Sequence, residues 1–126
     1  MNETLLFLER ISEQIPASTK KLLGALILFV CIDYMTGICV AIHKQKLSRK
    51  IGVKGLSTKV MIFAMVALTA IIDYLLIGDG SALCSITILF YCSNELISIC
   101  ENANQMGLPL PQKLVEFLKA FQSRQK

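Results

Sequence analysis

The sequence predicts an all-α membrane protein: three transmembrane helices, with short amphipathic helices at the N- and C-termini. Three observations predict it. The 126-residue chain contains three long apolar runs, and each run carries one acidic residue and no other charge. Hydrophobic residues make up 54% of the chain, with a mean hydropathy of +0.59, above the usual share for a soluble domain. The runs are Leu22 to Ile42 (21 residues), Val60 to Ile77 (18) and Ala82 to Ile99 (18). At ~1.5 Å rise per helical residue they measure roughly 27–31 Å, close to the ~30 Å hydrocarbon core of a bilayer. No segment left over is large enough to fold as a soluble domain, so residues 1–126 read as a single membrane domain.

Residues 4–15 place Leu5, Leu8, Ile11 and Ile15 on one helical face, with Glu9, Arg10, Glu13 and Gln14 mostly elsewhere. The segment is too short to span and reads as an amphipathic helix on the membrane or on a neighbouring subunit. It has no basic n-region and no short apolar run before a small-residue cleavage site, so no cleaved signal peptide is expected. The first span holds Asp33, followed by Gly37 and Ala41 at i+4 and i+8, a small-residue stripe that permits close helix packing.

Residues 43–59 hold Lys44, Lys46, Arg49, Lys50, Lys54 and Lys59 and no acid. Such a loop is expected in the cytoplasm by the positive-inside rule, which puts the N-terminus and the 78–81 turn outside and the C-terminus inside. The turn holds only Asp79 as a charge. The basic loop suits anionic lipid headgroups. Without interleaved aromatics or a folded reader it does not suit nucleic acid.

The second span holds Asp73 and the third holds Glu95. A carboxylate near the bilayer centre costs about 2.5–3.5 kcal/mol on insertion scales, so intramembrane acids are usually functional. Asp33 is expected to be neutral or paired, with Asn94 or Tyr91 as partners. Along the third span Thr87, Tyr91, Asn94, Glu95, Ser98 and Asn102 share one face, continued by Glu101 and Gln105. At 100° per residue they fall within an arc of about 120°. Ile86, Phe90 and Ile97 lie opposite and are offered to lipid or neighbours. A polar stripe on a spanning helix must face protein or water. Two readings stay open: interhelical hydrogen bonding in a closed bundle, or the lining of an aqueous path formed by several copies.

Gly107-Leu-Pro-Leu-Pro111 ends that helix and pre-sets the next. Residues 112–124 then place Leu114, Phe117, Leu118 and Phe121 on one face, opposite Lys113, Glu116, Lys119 and Gln122. This is a second amphipathic helix. The five cysteines (31, 39, 84, 92 and 100) form no C-x-x-C pair, and His43 is the only histidine. No metal site or cofactor is expected, and the cysteines read as small packing residues. No nucleotide motif or nucleophile–base pair points to an enzyme.

Three blocks carry a family resemblance. They are IDYMTG at residues 32–37 with Ala41; KLSRKIGVKG at 46–55 with Lys59; and YCSNELISICEN at 91–102 followed by GLPLPQKL at 107–114. In these the chain resembles the toxin-secretion or phage-lysis holins, which include the holins that export large clostridial toxins. The likeness covers most of residues 31–118 and leaves the N-terminal 20 residues unmatched. It implies a phage or prophage protein that oligomerises in the bacterial cytoplasmic membrane and opens lesions. Through these an endolysin or a toxin is released, and an antiholin is a further expected partner. Two alternatives remain: a small cation or proton channel or transporter subunit built on Asp33, Asp73 and Glu95, or an antiholin of the same fold.

Overall fold

The computed structural model describes residues 2–78 and 80–125, with side chains through residue 120 other than Leu118. Asp79, and the Leu118, Phe121 and Gln122 side chains assigned to faces of the last helix, lie outside the described residues and side chains. The described residues form helices and connections, with no strand. In order they are α1 (Asn2–Gln14), α2 (Ala17–His43), α3 (Arg49–Ile72) with a π-helical turn (Asp73–Ile77), α4 (Ala82–Gln105) and α5 (Gln112–Gln125).

Each boundary has a local cause. Pro16 caps α2 with extended backbone and supplies no N–H, so α1 cannot run into α2. After α2 the chain reverses at Gln45, whose φ of 56° is left-handed. Ser48 then starts α3, its hydroxyl accepting the Ile51 N–H at 3.2 Å. The far end of α3 widens into the π turn, closed by Gly78 N–H donating to the Asp73 carbonyl at 2.8 Å. Gly78 and Gly80 both take positive φ there, 77° and 80°, a conformation that costs glycine no Cβ clash. Gly107, at φ 86°, ends the stretch after α4.

Among the described residues three helices are long and apolar enough to cross a membrane: Ala17–His43, Arg49–Ile77 and Ala82–Gln105. They outrun the apolar runs because a helix keeps its hydrogen-bond ladder past the hydrocarbon boundary. The main difference from expectation lies in the basic segment. Residues 49–59, expected in a loop, form the first three turns of α3. They contain no proline, and long basic side chains can run their heads toward the headgroups while their stems stay apolar.

Helix α4 is central, packing along α2 and against α3, while α2 and α3 touch sparsely. The main core is Leu26 and Val30 from α2, Ile62 and Val66 from α3, and Cys84, Ile88 and Cys92 from α4. Large apolar side chains such as Leu28, Met35, Leu76 and Ile86 stand outward, as lipid-facing residues must. At the α1 end, the Thr19 hydroxyl meets those of Ser81 and Ser85 at 2.9 and 2.8 Å. Gln14 donates to the Gly80 carbonyl at 2.8 Å, and Phe7 packs edge-on to Tyr74. In α1 only Ile11 is buried; Leu5, Leu6 and Leu8 stay exposed.

Candidate functional site

Three ionisable residues lie at one depth because of where their helices end. Asp33 is ten residues before the end of α2, Lys59 ten after the start of α3, and Glu95 ten before the end of α4. All three ends are on the same side of the bundle, where the Lys44 ammonium donates to Gln105 at 2.6 Å. Ten residues of helix is about 15 Å, so each side chain lies the same distance in from that end. The three side chains therefore meet at one level inside the bundle. The Lys59 ammonium bridges the two acids: it pairs with one oxygen of Asp33 and donates to both oxygens of Glu95 at 2.8 Å.

The polar face of α4 closes around this bridge. Ser98 donates to the second oxygen of Asp33 at 2.7 Å, and the Asn102 amide reaches the same oxygen at 3.1 Å and the Thr36 hydroxyl at 2.9 Å. Asp33 is 4% exposed and Glu95 3%. With all three groups ionised the cluster carries one net negative charge, spread over donors from two helices. Among the described residues no buried side-chain nitrogen or oxygen lacks a partner. That is the condition a bilayer sets, since lipid offers no hydrogen bond. Removing the one cation that these two buried acids share costs about 3–5 kcal/mol, so Lys59 ties α2, α3 and α4 into one body.

Several expectations need correction. The charge pattern places Lys59 with the basic loop, but it is a helical residue inside the bundle. Charge counting near a span end reports neither depth nor direction, and Lys59 borders its apolar run. A usable signal was its matching ten-residue offset from the turn. The partners of Asp33 include Ser98 and Asn102, one and two turns beyond Asn94. Ile97, assigned to the outward face, is buried with Cys100 beneath Leu110 and Leu114, because the chain after α4 folds back over it. Ile86 and Phe90 on that face do stand exposed.

The remaining site residues fall in three places. Asp73 is 1% exposed and belongs to a different arrangement: its carboxylate accepts the Leu83 and Cys84 N–H groups at 3.2 and 2.8 Å. It thus caps α4 from another helix and offsets the positive end of the helix dipole. Thr87 turns its hydroxyl to its own helix at Leu83, Tyr91 packs half-buried against the main core, and Asn94 is half-buried. Gly37 faces Asn102, where an added Cβ would lie 3.8 Å from the amide nitrogen, and Gly37 and Ala41 both line a cleft between α2 and α3. Lys44, Lys46, Arg49, Lys50 and Lys54 are exposed. Of the cysteines, 84, 92 and 100 are buried, whereas 31 and 39 are exposed.

Comparison with known proteins gives the context for this geometry. The model of the bacteriophage holin family matches residues 11–123. An uncharacterized protein of Halalkalibacterium halodurans is 39% identical over 82% of this chain and 82% of its own length. An uncharacterized Clostridium perfringens protein is 31% identical, over 79% of this chain and 75% of its own. A probable holin of Bacillus phage phi105 is 30% identical, over 82% of this chain and 76% of its own. No solved structure matches.

Proposed function

The chain belongs to the bacteriophage holin family, and from that membership we propose that it oligomerises in the bacterial cytoplasmic membrane and opens lesions that release an endolysin or a toxin. The role is non-enzymatic, with the N-terminus outside and the C-terminus in the cytoplasm. The observation that carries the reading is the Asp33–Lys59–Glu95 bridge, with its polar surroundings satisfied inside one chain. A protein built this way can insert and accumulate singly without exposing its polar stripe to lipid. The same stripe, once α4 parts from α2, is ready to face water or other copies. The two readings of the stripe thus become a resting state and an opened state of one surface.

Opening trades internal partners for water. Hydration of Asp33 and Glu95 then stabilises the separated arrangement, because charged groups are costly only while they stay dry. Each elementary charge that crosses the membrane potential also feels about 2.3 kcal/mol per 100 mV. Collapse of the potential therefore tips a near-balanced equilibrium.

The test is inducible expression in a bacterial host, with and without an endolysin. The expected result is abrupt loss of membrane potential, leakage of solutes far larger than ions, and sudden lysis when the endolysin is present. Leakage limited to small ions with merely slowed growth points instead to a cation channel using the same acids. A delay of lysis when the chain is co-expressed with a working holin identifies an antiholin.

A further inference from the structure

The sparse contact between α2 and α3 leaves a cleft of about 220 Å³ at the basic end of the bundle. Its walls are Gly37 and Ala41 from α2, and Ile51, Gly52 and Gly55 from α3, with Leu47 at the rim. Tyr34 crosses one side, its hydroxyl donating to the Gly52 carbonyl at 3.2 Å. The inner end is Asp33 and Lys59, whose charges are engaged with each other, Ser98 and Glu95. Most of the lining is therefore carbon. A groove of this kind in a bilayer does not stay empty, because its walls would forfeit their dispersion contacts.

We propose that this cleft is a binding site for one anionic phospholipid, its acyl chain lying between α2 and α3 and its phosphate held by Lys46, Lys50 and Lys54. Depth favours a lipid over a helix from a second copy. From Ile51 to Lys59 the cleft follows about 12 Å of α3, with Leu47 at its rim, which fits within the ~15 Å of one leaflet rather than a whole span. Charge fixes the headgroup. Lys46, Lys50 and Lys54 are each the sequence neighbour of a residue that lines the cleft: Leu47, Ile51 and Gly55. The Asp33 and Glu95 carboxylates at the inner end are engaged by Lys59, and these three lysines are exposed, as is Arg49. The first turn of α3 holds Arg49 and Lys50 and no acid, so two cations sit on the positive end of a helix dipole. A phosphate relieves that repulsion. The small residues let neighbouring side chains lie close along the cleft: an added Cβ at Gly52 or Gly55 would meet Tyr34 at 3.5 or 3.6 Å, and one at Gly37 the Asn102 amide at 3.8 Å. In the zwitterionic phosphocholine headgroup the phosphate is offset by its own ammonium and the net charge is zero, so the site discriminates by headgroup as well as by shape.

The site stands apart from the lysis reading, and its test measures lipid alone. The full-length chain is placed in nanodiscs of equal phosphatidylglycerol and phosphatidylcholine, and the lipid it retains is weighed by native mass spectrometry. The expected result is about one phosphatidylglycerol per chain, at least tenfold over phosphatidylcholine. The triple variant Lys46→Gln, Lys50→Gln, Lys54→Gln loses that preference at least tenfold. Ala41→Leu, which fills the groove and leaves every charge in place, loses retention to a similar degree. Equal retention of the two lipids by the unmodified chain overturns the proposal without any variant. Retention that survives Ala41→Leu reduces the effect to surface attraction and overturns the groove. A shift between monomer and dimer in Ala41→Leu with unchanged lipid assigns the groove to a second copy, and likewise overturns the site.

Discussion

The Lys59 ammonium donates to both carboxylate oxygens of Glu95 at 2.8 Å, joining two helices whose charged residues are 36 positions apart in the chain. Asp33 shares the same ammonium from a third helix. One cation therefore faces two acids inside the bundle, and the balance of charge there bears directly on how easily the bundle parts.

Altering that balance should move lysis in opposite directions. Glu95→Gln leaves one acid opposite one base, favours the closed seam, and is expected to delay or abolish lysis with normal insertion. Lys59→Met leaves two acids without their cation, weakens the seam by about 3–5 kcal/mol, and is expected to bring lysis forward. Ile86→Ala, on a lipid-facing position, should keep the normal schedule. Ile97 is unsuitable as that control because it is buried under Leu110 and Leu114. The measurement is onset of lysis at matched membrane protein levels. Glu95→Gln lysing on time would show that the acid only packs.

A covalent tie between α2 and α4 should hold the bundle shut. The Thr19 and Ser85 hydroxyl oxygens lie 2.8 Å apart, so the pair Thr19→Cys and Ser85→Cys places two sulfurs where a bond can form. The five native cysteines are first replaced, and that background must itself lyse cells. Oxidation is expected to delay lysis severalfold, and reductant added later to release it within minutes. Lysis on schedule with the crosslink complete would mean that opening leaves this end of the helices together.

Orientation is open to labelling in whole cells. Ser81 is a poor reporter, since it is buried against Thr19, whereas Ala82 beside it is exposed. On a cysteine-free background, Ala82→Cys should react with an impermeant thiol reagent and Lys46→Cys should not. The reverse pattern would place the basic segment outside.

Much of the architecture is legible in composition and period. The three spans follow from apolar runs long enough to cross a bilayer, and Pro16 and the Gly107–Pro111 stretch mark helix boundaries because their backbone chemistry acts locally. Glu95, Ser98 and Asn102 share a face by helical geometry alone, and that face is the one turned toward Asp33. Quantities fixed by a single helix are readable from a single helix.

Pairing between helices is a different kind of quantity. Lys59 enters the bundle, Ile97 is covered, and Asp73 caps the start of α4, each because another segment arrives at the right height and angle. Adjacent positions along the chain carry no record of that arrival. The sequence by itself determined what must cross the membrane and which faces must avoid lipid. Only the tertiary structure decided which charge meets which, because a buried ion pair forms where packed helices bring its members to one depth.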